Sequence, residues 1–358
     1  MIKDSEDDTT KVSYIAQDSD HLTASTTSHL VAGVAIFGFH PNATILMDRG
    51  WIGLKKGYNN NSLIPFVSIE DMFLKTKNGH PLPGWDYFWM SDGWDLQNLF
   101  YILDELGYVS EPAKEWWPRA IVNFIHNVDP ANTHYRWLGD TQSEVNLTSF
   151  SGYIWTWFSN CIYMSEKYGY ATEAAIGRYF LDNLTHSPWG ISEGDPMLLM
   201  ARGHNSAAKR INYTNSSVFN LSKNIIEGIG EDQRMGYGYF RSNWGENGTW
   251  GGVSGVGNYL VDHMHGSAGS FFIWRNGEYL TTDPHNYGGE IYGEIYNSLS
   301  IPNPLKNDMG GPLFYSNQFH AFIERGTVRA SLNGLEDLFY TVVNANGSYN
   351  LPISKWDT

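Results

Sequence analysis

Two histidines one residue apart, His263 and His265, and an aspartate further along, Asp283, have the types and spacing to do chemistry. They bracket the stretch DHMHGSAGSFFIWRNGEYLTTDP, Asp262 to Pro284. On an extended segment the two-residue period puts both imidazoles on one face. Two neutral imidazoles and a carboxylate form a partial ligand set for zinc or a similar divalent ion. Packing or surface histidines on a β-sheet are the plainer alternative.

The elements that must position these residues are legible between them. Ser270–Trp274 reads as an apolar strand, Arg275-Asn276-Gly277 as a turn and Glu278–Thr282 as the return strand. Asn-Gly between two β-prone runs is a strong hairpin signal. The hairpin carries the chain back, so that Asp283 can lie beside the two histidines.

Further along the chain the texture divides. Up to about residue 230 the pattern is helical. Helices are predicted over Ser28–Phe39 with Ser28 as cap, Asp95–Tyr108, Glu111–Val128, Phe150–Tyr168, Thr172–Leu184 and around Pro196–Ala201. Pro118 predicts a kink or break in the third of these. From Gly236 onward, β-prone runs such as YGYFRSNW, NSLSIP, HAFIERGTVRASL and LFYTVVNANGSY alternate with turn residues, as in an antiparallel β-domain. The expected organisation is an acidic, disordered tail over 1–12, a helical domain over 13–231 and a β-domain over 232–358. The last is short for a two-sheet sandwich of the larger kind, so truncation at the C-terminus is expected.

Composition narrows the partners. The 358 residues are 42% hydrophobic and 17% charged, as in a water-soluble globular protein, and no run approaches a membrane span. The formal net charge of −15 argues against nucleic acid. It leaves room for an anionic polysaccharide, because the local sign in a cleft can oppose the sum. Aromatic residues make up 15%, with 14 Trp and 22 Tyr, which suits either rings stacking on sugars or a bulky helical core. The one cysteine, Cys161, sits in the apolar run WFSNCIYM and reads as a buried, inert thiol. No signal-peptide pattern opens the chain, so either an intracellular protein or a frame beginning inside a longer precursor is expected.

A helical domain followed by a β-domain with this stretch resembles the heparinase II/III-like polysaccharide lyases, including the related alginate lyases. The resemblance is carried by GYFRSNWGENGTW, by DHMHGSAGSFFIWRNGEYLTTDP and by YNSLSIPNP, all within Met235–Pro304, and more loosely by WLGD (Trp137–Asp140) and GWDYFW. It implies an N-terminal α/α toroid, in the form of an incomplete helical barrel, followed by an antiparallel β-sandwich. It also implies β-elimination at a uronic acid. That chemistry needs a neutralised C5 carboxylate, a base for the C5 proton and an acid for the departing O4 oxygen.

The resemblance assigns roles to individual residues. Tyr87 of GWDYFW and His263 would be catalytic, with His29 helping to hold the carboxylate. Ser28 stands where the family has Asn, so Asn78, His80 or an arginine such as Arg241 would assist, with Trp85 beside the substrate. His265 and Asp283 resemble metal ligands. The expected third ligand is replaced by Tyr296, which leaves His320 or His285 to complete a structural zinc or calcium site. No organic cofactor is expected. A periplasmic or secreted location and a homodimer complete the expectation.

Plainer readings stand beside these. Tyr87 and Tyr153 could be packing aromatics, His29 a helix-edge residue, and Arg241 and Arg275 surface salt-bridge partners. A glycoside hydrolase would need two carboxylates about 5–10 Å apart; Glu193 and Glu246 are the candidates. A non-catalytic glycan-binding protein is the third reading, favoured by Ser28 and Tyr296.

Overall fold

The structure, a computed structural model, describes residues 19–55, 68–75, 92–131, 133–136, 151–183, 225–226, 237–254, 269–282, 322–327 and 340–344, with residues 79, 81, 85, 88 and 147. Within these, a helical part precedes a small antiparallel sheet. The helices are α1 (Ser19–Ala35), α2 (Ala43–Lys55), α3 (Ile69–Lys75), α4 (Asp92–Glu105), α5 (Glu111–Asn127), α6 (Ser151–Lys167) and α7 (Ala171–Asn183). No helix among them is long and apolar enough to cross a membrane.

Their ends follow from local chemistry. After α4, Gly107 takes φ 73°, its N–H donates to the Asp104 carbonyl and the Tyr108 N–H reaches back to Leu103 at 2.7 Å. After α6, Gly169 at φ 91° does the same with Glu166, and Tyr170 with Ser165. Both are Schellman caps, in which a left-handed residue lets the chain turn back and satisfy the last carbonyls.

Two sequence expectations are corrected here. The first helix spans Ser19–Ala35 rather than Ser28–Phe39, so Ser28 is exposed in mid-helix and caps nothing. The run DHLTASTT has weak helix propensity, but Thr23, Thr26 and Thr27 are buried and the Thr27 hydroxyl donates to the Asp95 carbonyl at 3.0 Å. Tertiary packing overrides propensity at this point. Pro118 does not break α5, which runs from Glu111 through Asn127 with Pro118 buried in it. Its flanking Trp116 and Trp117 are buried too, and that burial outweighs one lost backbone bond.

The helical core is built from rings. Trp85, Phe88, Trp116, Trp117, Phe124, Trp157, Phe158 and Phe180 pack largely edge to face, for example Trp85 on Trp157 at 5.2 Å and Phe124 on Phe158 at 5.2 Å. Edge-to-face contact suits the ring quadrupole and adds to the burial term. Much of the aromatic surplus therefore lies in the interior.

The sheet runs β1 (Ile225–Ile226), β2 (Tyr237–Arg241), β3 (Trp250–Ser254), β4 (Phe271–Arg275) and β5 (Glu278–Thr281) in chain order, each strand antiparallel to the next. It begins ahead of Asp232, where the change of texture was expected. A separate pair joins β6 (Phe322–Thr327) to β7 (Tyr340–Asn344). The β4–β5 turn is as expected: Arg275 pairs with Glu278, and Asn276 (φ 53°) and Gly277 (φ 90°) form the two-residue loop. Positive φ at both positions marks a type I′ turn, whose twist matches the strands.

Candidate functional site

The His263/His265 segment springs from the middle of this sheet. Strand β3 ends at Ser254 and β4 begins at Phe271, with the two histidines in the connection. The connection is pinned at its base, where the Ser254 N–H donates to the Ser270 carbonyl and the Gly269 N–H to the Ser254 carbonyl, each at 2.8 Å. His263, His265 and Asp283 themselves lie outside the described residues, as do Tyr87, Asn78, His80 and His320. The same holds for His285, Tyr296 and Glu193, and for the segments WLGD, NSLSIP and Pro196–Ala201. Tyr153 lies on α6.

The described neighbours of these positions are firmly seated. Trp85 and Phe88, on either side of Tyr87 in sequence, are both in the core, at 0% and 1% exposure. Gly79, between Asn78 and His80, has φ 81° and sits so close to the backbone of α5 that a Cβ there would collide with Arg119 and Ala120. The return strand ends at Thr281, and Thr282 follows it immediately before Asp283.

His29 is half-buried on α1. Its Nδ1 lies 2.6 Å from the Ser25 carbonyl oxygen, which can only accept, so in the neutral ring the proton sits on Nδ1 and the lone pair on Nε2. Ser28, next to it, is exposed. A helix places adjacent residues about 100° apart, so the two point in different directions.

Two expected substrate contacts are corrected by burial. Trp85 has no accessible face on which a sugar could stack, since Phe88, Phe124 and Trp157 surround its ring. Arg241, at the end of β2, is 4% exposed and turned inward. Its Nη2 donates to the carbonyls of Val128 (2.7 Å), His126 (3.1 Å) and Ile125 (3.4 Å). The surface salt-bridge alternative fails for the same reason. Arg275 and Glu246, by contrast, are exposed.

Arg241 belongs to a joint between helices and sheet that the sequence reading did not single out. A helix leaves its last four carbonyls without intrahelical partners, and here the sheet and the segment after the helix supply donors to several of them. Besides Arg241, the Trp250 indole N–H donates to the His126 carbonyl at 2.9 Å, and the Arg136 N–H to Asn127 at 2.9 Å. The Arg241 guanidinium lies over the Trp244 ring at 4.2 Å, and His126 packs against that ring at 5.2 Å. A second buried cation, Arg136, lies over Phe272 at 5.1 Å and Tyr279 at 5.8 Å. Asp129, also buried, accepts from the Thr133 N–H (2.8 Å), the Thr133 hydroxyl (2.7 Å) and the His134 N–H (3.1 Å).

The electrostatics of the joint follow from burial. Desolvation brings Arg241 down to about 9, against the opposing pull of Asp129, so it remains a cation at neutral pH. Burial pushes the Tyr279 phenol up to about 12, which keeps it a neutral hydroxyl. His126 is held well below the ordinary histidine value, first by desolvation and then by Arg241, so its ring is neutral. The signal in the sequence was Asn123, His126 and Asn127 at i, i+3 and i+4, polar residues side by side on a helix rich in Trp, Ile and Phe. All three are buried.

Among the described residues no group of three or more His, Cys, Asp or Glu is placed to hold a metal ion. Cys161 is free and buried, and burial raises its thiol pKa well above the usual value, in keeping with an inert thiol.

No family model and no curated protein sequence matches this chain. Among solved structures it is similar to heparinase III, at 12% identity over 89% of this chain and 43% of the other, with a TM-score of 0.47. It is also similar to a heparinase III gene product with methylated lysines, at 14% identity over 81% and 38%, with a TM-score of 0.42. The chain thus spans about two fifths of the length of these structures.

Proposed function

We propose that this protein is a polysaccharide lyase that cleaves a uronate-containing glycan by β-elimination, on an α/α toroid joined to a β-sandwich. The observation that carries this reading is the Asp262–Pro284 stretch, with its His-x-His segment set between paired strands and followed by an Asn-Gly hairpin.

In the reaction, His29 and a polar partner hold the substrate carboxylate, which acidifies the neighbouring C5 proton. Tyr87 and His263 divide the two proton transfers. One takes the C5 proton, a C4–C5 double bond forms, the C4–O4 bond breaks, and the other protonates the departing O4. Holding charge on the carboxylate as it develops contributes most to such a step. Two imidazoles and a carboxylate suit a divalent ion, so His265 and Asp283 with His320 are assigned to a structural one that braces the segment. No step of the elimination passes through it.

The test is absorbance in the conjugated-uronate band. The chain is incubated with alginate, heparan sulfate, chondroitin, hyaluronan, ulvan and glucuronan, beside Tyr87→Phe and His263→Ala. A rise with one glycan, lost at least about a hundredfold in both variants, is expected. A flat trace from folded protein across the whole panel, with divalent metal supplied, would refute the lyase reading in favour of a glycan-binding protein.

A further inference from the structure

The joint between α5 and the sheet contains a titratable group that elimination chemistry does not use. We propose that His126 is the proton-sensitive part of a latch: while its ring is neutral, Arg241, Trp244 and Trp250 close on the end of α5, and when it is protonated the joint opens and β2 and β3 separate from the helices.

The geometry carries this. The His126 ring is 1% exposed and packed against Trp244, and its Nδ1 has no hydrogen-bond partner among the described residues. Its own carbonyl receives both Arg241 and Trp250, so the ring sits at the point where the sheet grips the helix.

Among the described residues, Arg241 from β2 is the charged group whose field acts on the His126 ring; Asp129 acts on Arg241 in turn, and Arg136 and Tyr279 lie beyond, with His134 beside Asp129. Tyr279 is neutral. Asp129 accepts from Thr133 and His134. A protonated His126 would put a second buried positive charge beside that of Arg241.

A helix C-terminus ordinarily welcomes a protonated histidine. Here that place is taken by Arg241, whose Nη2 already meets three of the last carbonyls.

The sign follows from linkage. The folded-state value of His126 is lowered while the opened joint exposes an ordinary imidazole, so the open form binds more protons and acid favours it. Below the ordinary histidine value, near 6.5, the opening constant rises about tenfold per pH unit until the folded-state value is reached.

The latch itself does not depend on lyase activity, and its test does not use it.

The experiment is hydrogen exchange by mass spectrometry on the full chain between pH 8 and 5, corrected for intrinsic exchange rates. It runs alongside nuclear magnetic resonance titration of labelled histidines. Below about pH 6.5, residues 237–254 are expected to lose protection by about tenfold per pH unit, while 151–183 stay protected. In His126→Gln, which keeps a neutral polar ring-sized group, the acid-dependent loss should vanish.

The same loss in His126→Gln would overturn the latch, and so would simultaneous opening of 151–183. If that variant does not fold, the wild-type titration decides. Opening that tracks His126 protonation supports the latch, and opening with His126 still neutral overturns it.

Discussion

Arg241 shows how little a residue type alone says about its use. An arginine at a strand end near a cleft reads as a carboxylate ligand, yet here its guanidinium serves a helix terminus. Removing it takes the guanidinium from the buried Val128 carbonyl and a second donor from those of His126 and Ile125, so Arg241→Met should cost about 2–3 kcal/mol, read from urea denaturation midpoints. Arg241→Lys keeps the cation but loses the planar contact with Trp244, and should cost less. At Ser28 the expectation runs the other way. The residue is exposed in mid-helix, so Asn fits without repacking. On the proposed lyase function, Ser28→Asn would restore the amide donor that the resemblance calls for, and should raise kcat/KM by roughly tenfold or more on the glycan that the absorbance assay identifies. His126 and Asp129 were not foreseen. The polar residues on the buried face of α5 do not announce that the partners of His126 lie more than a hundred positions away.

At the scale of elements, what was legible had local causes. The Asn276-Gly277 turn needs positive φ at both positions, which the dipeptide supplies, so the hairpin could be read to within a residue. The helices α4 to α7 follow their apolar periodicity, and α4 and α6 stop at the left-handed Gly107 and Gly169. The start of α1 was not legible, because its Ser/Thr-rich first turns are held by burial against α4 rather than by propensity. Helix α2 escaped notice because Gly50 interrupts its pattern. That glycine lets α1 approach, as a Cβ there would strike Leu30. The most exacting glycine is Gly79. It combines φ 81° with backbone contact on α5, so Gly79→Ala should cost about 2–3 kcal/mol. Thermal or urea unfolding would measure it. On the proposed lyase function, in which the adjoining Asn78 and His80 assist, kcat/KM should also fall in this variant under conditions where it stays folded.

For the whole molecule, the central question is whether helices and sheet behave as one body. The buried cluster is continuous from Leu30 through Trp116, Phe124 and Trp157 to Tyr239, Trp250, Phe272 and Trp274. The α5 terminus and Arg241 cross the same boundary with charge-assisted bonds. A shared core couples the stabilities of its parts, since exposing either surface costs both sides apolar burial at about 25 cal/mol per Å². At neutral pH, unfolding followed by helical circular dichroism should therefore coincide with unfolding followed by hydrogen exchange of 237–254. Trp250→Ala removes an indole that packs on Phe272 at 4.6 Å and bonds to the His126 carbonyl. It should cost about 3–5 kcal/mol and pull the two transitions apart, the sheet melting first. Transitions already separate in the unaltered protein would mean that the helical part holds its fold without the sheet. Coincidence at pH 8 that is lost near pH 5 would locate the change in the joint, because the aromatic packing that binds the two parts carries no charge of its own and responds to protons only through the groups set beside it.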